Sequence, residues 1–301
     1  MLNYNPTPVT EFKNELTVEF RLRIIVKRED ENHSSISGNK WWKLKYNLEE
    51  AQQQGFKKII TFGGAYSNHI YATAAAANEY NFESLGIIRG ERVEPLNSTL
   101  RFAEEQGMKL HFISREEYRK KTTAPFLVAV QEQLGNAYVI PEGGSNTLAV
   151  KGCAELAEKH LTSLDFDYVI LPVGTGGTMA GLICGLKGEK KIIGVSVLKG
   201  GTFLINDIKS FVENYCGKDY GNWELLTSYD HGGYAKVTDA LRKFIVMMNE
   251  QHNLPLDPVY TGKMMFALME EIKQGKFKSG STILVLHTGG LQGAASLMRE
   301  A

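Results

Sequence analysis

A lysine at the start of a helix is the first residue of this chain that could do chemistry. Lys40 follows the turn Ser37-Gly38-Asn39 and precedes a segment whose apolar residues form one helical face. The helix dipole disfavours a positive charge in the first turn, and partial burial would lower the lysine pKa further. The free amine is then a nucleophile that can form an imine with a carbonyl cofactor. The alternative is a solvated lysine on a helix that happens to begin here.

A glycine-rich loop is a candidate phosphate site. The loop Gly174-Thr175-Gly176-Gly177-Thr178 follows the predicted strand Tyr168–Val173 and leads into a helix. Backbone N–H groups of successive glycines converge, the helix N-terminus favours an anion, and the two threonine hydroxyls can donate. The loop lacks the G-x-x-x-x-G-K-S/T pattern of nucleotide P-loops, and it lacks the spacing and acidic partner of dinucleotide sites. We therefore predict a small phosphate monoester as its ligand, with an ordinary strand-to-helix turn as the alternative.

A second loop with polar side chains, residues 63–69, also lies between a predicted strand and a helix. Ser67 is a natural helix N-cap, which is its structural role. Because Asn68 and His69 lie on the same turn, this cluster could also bind a substrate carboxylate through its N–H groups and the Ser67 hydroxyl. A single histidine at a helix start more often packs or caps than catalyses, so both interpretations of His69 stay open.

Two segments near the C-terminal end complete the set of chemically interesting loops. Residues 257–263 contain Tyr260 and Thr261 and end in the start of a helix, and residues 286–291 contain Thr288 and follow a predicted strand. Either segment could be an ordinary turn.

Short apolar runs alternate with longer helical patterns along the chain, which predicts parallel sheets covered by helices on both faces. The predicted strands are Arg23–Lys27, Lys58–Phe62, Ser84–Ile88, Lys109–Ile113, Ala137–Ile140, Tyr168–Val173, Lys191–Val197 and Thr282–His287. The predicted helices are Trp41–Gln54, Ser67–Tyr80, Ser98–Glu105, Lys120–Leu134, Leu148–His160, Thr178–Leu186, Val237–His252 and Lys263–Gln274. The fold class is therefore α/β with largely parallel open sheets.

The loop at residues 141–146 predicts a boundary between two lobes. We expect a small domain over residues 46–150 and a large cofactor-binding domain made of residues 1–45 and 151–301. Ligands of open α/β sheets collect beyond the carboxyl ends of the strands, where the loops described above lie.

Composition narrows the class of protein. The chain is 43% hydrophobic and 23% charged, which is ordinary for a globular enzyme. Lys+Arg and Asp+Glu both number 34, so no net charge favours nucleic acid or an anionic membrane. The three cysteines (Cys153, Cys184 and Cys216) have no zinc-ligand spacing, which predicts no metal site and a reducing cytoplasm. The first residues do not read as a signal peptide, and no apolar run approaches the roughly 20 residues of a membrane span.

Taken together, these loops resemble the pyridoxal phosphate enzymes of the tryptophan-synthase-β fold. More narrowly, they resemble the 1-aminocyclopropane-1-carboxylate deaminase / D-cysteine desulfhydrase family. The order and spacing of many short pieces carry the resemblance, which runs through most of the chain. The matching pieces are residues 6–8, 27–30, 38–40 with 43–44, 63–64, 67–68, 141–146, 174–178, 257–263 and 287–290.

The resemblance implies roles for individual residues. Lys40 would hold pyridoxal 5'-phosphate covalently, Asn68 would hydrogen-bond its ring hydroxyl, and the loop 174–178 would bind its phosphate. Ser67 would contact the substrate carboxylate or assist proton transfer. Tyr260, and Tyr234 on a looser match, would be acid/base groups over a small amino-acid substrate. The family also implies a homodimer.

Position 261 favours one activity within the family. The cyclopropane deaminases that the chain resembles carry a glutamate there, which would strengthen the cofactor as an electron sink. Thr261 is neutral, and Thr288 would be another neutral donor, so the sink would be weaker. Elimination of a thiol needs less from the sink than cleavage of a carbon–carbon bond. We therefore expect conversion of D-cysteine to pyruvate, sulfide and ammonia, rather than opening of the cyclopropane ring to 2-oxobutanoate.

Departures from the family pattern leave alternatives open. Trp41 and Trp42 replace the small and basic residues expected after Lys40, and they could narrow the pocket or pack between the lobes. The alternatives are a cysteine synthase or a serine/threonine dehydratase on the same fold, and a ligand-binding homologue with a degenerate site. A nicotinamide oxidoreductase fits least, because the glycine spacing and acidic partner are wrong.

Overall fold

The computed structural model describes residues 2–293. In this part of the chain ten strands form two sheets. The strands are β1 Val9–Phe12, β2 Arg23–Lys27, β3 Lys58–Gly63, β4 Glu83–Arg89, β5 Lys109–Ile113, β6 Tyr138–Ile140, β7 Tyr168–Val173, β8 Lys191–Ser196, β9 Trp223–Leu226 and β10 Thr282–Leu286.

The helices lie between the strands in the order that the sequence predicts. They are α1 Glu15–Glu19, α2 Asn39–Gln53, α3 Asn68–Glu79, α4 Ser98–Glu105, α5 Arg115–Tyr118, α6 Ala124–Leu134, α7 Thr147–Leu156, α8 Gly177–Leu186, α9 Leu204–Cys216, α10 Asp239–His252 and α11 Thr261–Lys273. No helix within residues 2–293 combines the length and the apolar character that a membrane crossing requires.

The larger sheet has six strands in the order β1-β2-β10-β7-β8-β9. It is parallel except that β1 pairs antiparallel with β2 at the edge. Alternate residues of β10 belong to different apolar clusters: Leu284 and Leu286 to one, Ile283 and Val285 to the other. Because successive side chains point to opposite faces, both faces of this sheet are buried under helices.

The smaller sheet has four parallel strands in the order β5-β4-β3-β6, drawn from residues 58–140. The α/β fold class with parallel sheets is confirmed. The predicted domain limits at 45/46 and 150/151 fall inside α2 and α7. These two helices pack against each other, and at Gly152 an added Cβ would lie 1.9 Å from the Trp42 carbonyl oxygen. Helix α2 is thereby fixed against α7 while its chain leads into the smaller sheet, and the domain limits stay a prediction.

Some elements were not predicted from the sequence. Strand β1 is an edge strand with three of four residues exposed, so it lacks an apolar alternation. Strand β9 is also short, and none of its residues is fully buried. Helix α9 did carry a signal, because its buried residues Leu204, Ile208 and Val212 recur every four positions.

Candidate active site

Lys40 lies in the first turn of α2 and lines a cavity of about 190 Å³. Its Nζ donates a hydrogen bond of 2.8 Å to Asn39 Oδ1. The amide nitrogen of Asn39 donates in turn to Thr178 Oγ1 over 2.8 Å. The amine and the glycine loop 174–178 are therefore joined through a single side chain.

The turn before α2 is held in place from two sides. Gly38 has φ +73°, and an added Cβ would lie 1.9 Å from the Thr288 carbonyl oxygen. The Gly38 N–H donates to Glu29 O and to Asn32 Oδ1, each over 2.9 Å. The Asn32 amide returns a hydrogen bond of 3.0 Å to Gly38 O. Backbone contact on one side and these hydrogen bonds on the other determine where α2, and hence Lys40, begins.

Two lysines share the cavity, Lys43 buried and Lys40 half-buried. Burial and the neighbouring Lys43 charge lower the pKa of Lys40 to about 7, and burial lowers the pKa of Lys43 to about 8. No acidic side chain within residues 2–293 forms an ion pair with either lysine. The cavity is therefore electrostatically suited to an anion, and Lys40 has a usable free amine near neutral pH.

We expect Lys40 to react as a free amine at neutral pH. Because its pKa is lowered to about 7, the amine is charged and unreactive below that pH and free above it. The rate of its acetylation by acetic anhydride in ligand-free protein should rise with a midpoint near pH 7, as followed by peptide mass spectrometry. A lysine in a short peptide, with a midpoint of about 10.4, is the internal standard. A midpoint for Lys40 close to that of the standard would contradict the burial argument.

Lys43 places its charge beside the glycine loop. Its Nζ donates to Gly143 O and Ser145 Oγ, each over 2.8 Å, and lies 3.3 Å from Thr175 Oγ1. Helix α8, which begins at Gly177, is buried along its length. A helix N-terminus, hydroxyl groups and a lysine cation converge here, an arrangement that suits a phosphate group.

The loop of residues 63–69 caps α3. Ser67 Oγ accepts the Ile70 N–H over 3.3 Å, which confirms the N-cap role. Ser67 and Asn68 both line the cavity, and Asn68 Oδ1 accepts a hydrogen bond of 3.0 Å from Gln292. The Ser67 N–H donates to Gly64 O over 3.0 Å, so the Ser67 hydroxyl and the Asn68 residue are the polar groups at the cavity wall, where the sequence predicted a carboxylate site.

His69 is a neutral, buried side chain. Thr61 donates its hydroxyl proton to Ile140 O over 2.9 Å, so it accepts from His69 Nε2 over 2.7 Å. His69 Nδ1 lies 3.5 Å from the Thr73 hydroxyl. Burial and the charges of Lys40 and Lys43 lower its pKa well below the usual value. Both ring nitrogens have protein partners, so this geometry favours the packing role over substrate binding.

Two tyrosines lie together on the cavity wall. The rings of Tyr234 and Tyr260 meet edge to face with centroids 6.2 Å apart, and Lys40 Nζ lies 6.0 Å from the Tyr260 ring centroid. Burial raises the pKa of Tyr234 to about 12 and raises that of Tyr260 well above its usual value. Both phenols therefore stay protonated near neutral pH, and the Tyr234 hydroxyl donates a long hydrogen bond of 3.4 Å to Tyr66 O.

Two predicted cofactor contacts do not line the cavity, Thr261 and Gly177. The Thr261 hydroxyl donates to Asp257 Oδ1 over 2.7 Å and accepts the Asp257 N–H over 2.9 Å. The Thr261 hydroxyl proton is therefore already used in the hydrogen bond to Asp257, and the geometry does not support a donor role toward a cofactor. Thr288 does line the cavity. Gly177 lies just behind the wall, where an added Cβ would lie 3.4 Å from Lys43 Nζ.

The two tryptophans pack in the core. Trp41 and Trp42 are 3% and 2% exposed, and their rings contact Tyr4 with centroid distances of 5.1 and 5.0 Å. Neither lines the cavity. Of the two interpretations given for these residues, the structure therefore supports packing over narrowing of the pocket.

Several cavity residues were not assigned a role from the sequence. They are Asn39, Lys43, Arg89 and Glu142. Lys43 lies three positions after Lys40, which places it on the same face of α2, and this spacing was an available signal. Arg89 is the last residue of β4, at the carboxyl edge where ligands collect.

Comparison with known proteins identifies the family. A family model for pyridoxal-phosphate dependent enzymes matches residues 1–289. The chain belongs to this family. Its cofactor is pyridoxal 5'-phosphate, as the resemblance predicted. The match covers both sheets and every loop of the cavity.

Individual relatives narrow the resemblance. The chain is 32% identical over 315 residues to the mitochondrial bifunctional D-cysteine desulfhydrase/1-aminocyclopropane-1-carboxylate deaminase of Arabidopsis thaliana, covering 97% of this chain and 78% of that protein. It is 33% identical to a Thermotoga maritima protein provisionally named as a 1-aminocyclopropane-1-carboxylate deaminase. That match covers 99% of this chain and 98% of the other protein. The crystal structure of an ACC deaminase homologue superimposes with a TM-score of 0.87 at 26% identity, over 100% of this chain and 95% of that one.

The residues of the cavity fit pyridoxal phosphate. Lys40 offers an amine with a lowered pKa, and the buried Lys43 cation lacks an ion-pair partner within the described residues. A phosphate dianion between Lys43 and the N-terminus of α8 would compensate that charge.

Proposed function

We propose that the protein is a D-cysteine desulfhydrase, a lyase that releases sulfide, pyruvate and ammonia from D-cysteine. The observation that carries this proposal is the shortage of carboxylates in the cavity. Among the described residues, Glu142 is the only acid on the cavity wall, and it pairs with Lys121 over 3.2 Å. The cofactor ring would meet the neutral Thr288 instead of a carboxylate, so it would withdraw electrons less strongly. A thiol leaving group needs only that weaker sink.

A buried carboxylate near position 261 does not change this argument. Asp257 accepts hydrogen bonds from the N–H groups of residues 259, 260 and 261 and from the Thr261 hydroxyl. It is 2% exposed and does not line the cavity. Its oxygen atoms are already used to cap the start of α11.

The cofactor would be held by residues of both domains. When bound, pyridoxal phosphate supplies a carbonyl that takes up the substrate amino group and a ring that withdraws electrons from Cα. Lys40 would bind the cofactor covalently, Lys43 and the loop 174–178 would bind its phosphate, and Asn68 its ring hydroxyl.

The protein would bind the substrate and move its protons. Ser67 and the N-terminus of α3 would hold the α-carboxylate. The Lys40 amine, free at neutral pH, would remove the α-proton. Tyr260 and Tyr234, whose raised pKa values keep them protonated, would donate to the departing sulfur. Because neither phenol ionises near neutral pH, the tyrosines would act on the sulfur as hydrogen-bond donors.

A second candidate is 1-aminocyclopropane-1-carboxylate deaminase. It is favoured by the solved ACC deaminase homologue, which matches the whole chain with a TM-score of 0.87. More distant structures show the fold alone. One is a hydrogen sulfide-producing enzyme from Fusobacterium nucleatum, at 17% identity and a TM-score of 0.69 over 97% of each chain.

We expect D-cysteine to be the preferred substrate of the purified enzyme. The kcat/KM for pyruvate release from D-cysteine should exceed those for L-cysteine and the cyclopropane amino acid by at least about tenfold, equivalent to ~1.4 kcal/mol in transition-state binding. Pyruvate, 2-oxobutanoate and sulfide are measured in parallel. Faster 2-oxobutanoate release would favour the second candidate, and preference for L-cysteine would favour a cysteine synthase or dehydratase. Absence of a visible absorbance that borohydride abolishes would point to a degenerate ligand-binding homologue.

We expect Lys43→Met to weaken binding of the phosphate specifically. A hydrogen bond to a charged group contributes about 1.5–3 kcal/mol, so the Kd for pyridoxal phosphate should rise by about 10- to 150-fold. Pyridoxal, which lacks the phosphate, is the matched control ligand, and its Kd should change much less. Spectroscopic titration of ligand-free protein measures both. An equal loss of affinity for the two ligands would place Lys43 elsewhere in the site.

We also propose a homodimer in a reducing cytoplasm. Three free cysteines support the compartment, and the family resemblance supports the dimer. Light scattering should give twice the 33.6 kDa of one chain, and a monomer mass would refute the dimer.

A further inference from the structure

Arg89 is a cation on the cavity wall without an anionic partner in the described residues. It ends β4, is exposed, and lines the same cavity as Lys40. Within residues 2–293 it forms no ion pair and donates no hydrogen bond. Arg92, three positions later, is fully paired, with Glu94 and Glu104 at 2.6 and 2.9 Å. Arginine at a ligand cavity with unused donors is suited to bind an anion.

The Arg89 guanidinium is positioned by an aromatic ring. Its Cζ lies 5.6 Å from the ring centroid of Tyr118, a side chain only 2% exposed. A cation–π contact uses the face of the guanidinium and leaves the N–H groups at its edge free. Tyr118 therefore holds the cation in place without consuming its hydrogen bonds.

The nearest acid on the cavity wall is neutralised by another cation. Glu142 pairs with Lys121 over 3.2 Å, and the Lys121 Nζ also lies 4.8 Å from the Tyr118 ring centroid. Around Tyr118, therefore, the two cations Arg89 and Lys121 accompany the single carboxylate of Glu142. The unbalanced positive charge is that of Arg89.

Arg89 lies on the side of the cavity that faces the substrate loop. An added Cβ on Gly64 would lie 3.3 Å from Arg89 Nη2 and 4.0 Å from the Tyr234 ring. Gly64 precedes Ser67, and Tyr234 is one of the two hydrogen-bond donors proposed above. The phosphate site, in contrast, is formed by Lys43 and the loop 174–178. The anion that Arg89 would meet therefore belongs to the substrate.

We infer that Arg89 recognises an anionic group on the substituent that leaves the β-carbon of the substrate. The inference rests on the proposed function, and it extends the substrate class to D-cysteine thioethers that bear a carboxylate beyond the sulfur. The guanidinium edge would bind that carboxylate with two parallel hydrogen bonds.

The reaction balances without an oxidant or reductant. The α-proton is removed, the Cβ–S bond breaks, and the sulfur leaves with the electron pair and takes up a proton. One water molecule completes the products. The thioether and water thus give a free thiol, pyruvate and ammonium.

Two thioethers of nearly equal size test the inference. S-carboxymethyl-D-cysteine carries the anion, and S-carbamoylmethyl-D-cysteine replaces it with a neutral amide. We expect the wild-type holoenzyme to favour the first by at least about tenfold in kcat/KM for pyruvate release. Arg89→Gln should lower kcat/KM for the carboxymethyl substrate by about 10- to 100-fold and should affect the amide and D-cysteine far less. Arg89→Lys keeps the charge but not the paired hydrogen bonds, so its kcat/KM for the carboxymethyl substrate should lie between those of the wild type and Arg89→Gln.

The control is Arg92→Gln, which removes an arginine outside the cavity and should leave both substrates unchanged. Thermal unfolding of each variant excludes a loss of folded protein. An equal fall for both thioethers in Arg89→Gln would assign Arg89 to the α-carboxylate and overturn the inference. No fall for either would also overturn it. In both cases turnover of D-cysteine would leave the proposed function standing, whereas no turnover of any substrate by the wild type would refute the function itself.

Discussion

Lys40→Ala should abolish covalent attachment of pyridoxal phosphate and reduce kcat for D-cysteine by at least about 10²- to 10⁴-fold, the range for loss of a positioned proton-transfer group. The expectation rests on the free amine of Lys40 and on its link through Asn39 to Thr178. Borohydride reduction followed by peptide mapping measures the attachment. Visible spectroscopy and pyruvate release measure the loss of function.

A chemical rescue distinguishes proton transfer from a purely structural role. Because Lys40→Ala shortens a side chain at a cavity wall, a small primary amine such as ethylamine can enter the site and restore part of the rate. Lys45→Ala is the matched control. It lies on the same helix, but its Nζ pairs with Glu155 over 2.6 Å and does not line the cavity. Normal absorbance and turnover in Lys40→Ala would refute the site assignment.

Gly38→Ala should displace Lys40 and destabilise the protein. The added Cβ would lie 1.9 Å from the Thr288 carbonyl oxygen, and because the atoms that it meets in Thr288 and Gly289 are backbone, no flexible side chain can move away. The Gly38 backbone, with φ +73° and ψ −148°, lies in a region that is essentially restricted to glycine and adds about 1–3 kcal/mol for a residue with a Cβ. Because a shift of about 1 Å in a catalytic group can cost about 10²-fold, we expect a loss of at least that size in kcat/KM.

Gly55→Ala is the control for a positive φ without a clash. Gly55 has φ +76° but no atom within 4 Å of an added Cβ. The Gly55→Ala variant should lose only about 1–2 kcal/mol of unfolding free energy, because of its positive φ, and should keep full kcat/KM. Denaturant unfolding and cofactor titration of the two variants give the comparison. If Gly38→Ala behaved like Gly55→Ala, contact with Thr288 would not determine the position of Lys40.

The local structure around the chemistry could be predicted from the sequence. The turn at Gly38 and the helix after it placed Lys40 in a first turn, and helix α2 begins at Asn39 in the structure. Ser67 was expected to cap α3, and its hydroxyl does accept the Ile70 N–H. These features depend on neighbours within a few positions, so a single chain segment contains the information for them.

The competition between hydrogen-bond partners could not be predicted in the same way. Thr261 was expected to meet the cofactor, yet its hydroxyl donates to Asp257. His69 was open to two interpretations until both of its ring nitrogens were found beside Thr61 and Thr73. Each choice depends on which acceptor lies nearer after folding, and sequence order does not contain that distance.

By itself, then, the sequence determined a parallel α/β fold, an amine at a helix start and a glycine-rich loop at a strand end. Only the tertiary structure brought Lys43 from α2 to that loop and Arg89 from the smaller sheet to the cavity wall. The physical reason is the distance along the chain between the residues that determine each feature. Turns, caps and helical faces are set by local backbone preference, whereas a charge that crosses between two sheets is positioned by how those sheets pack.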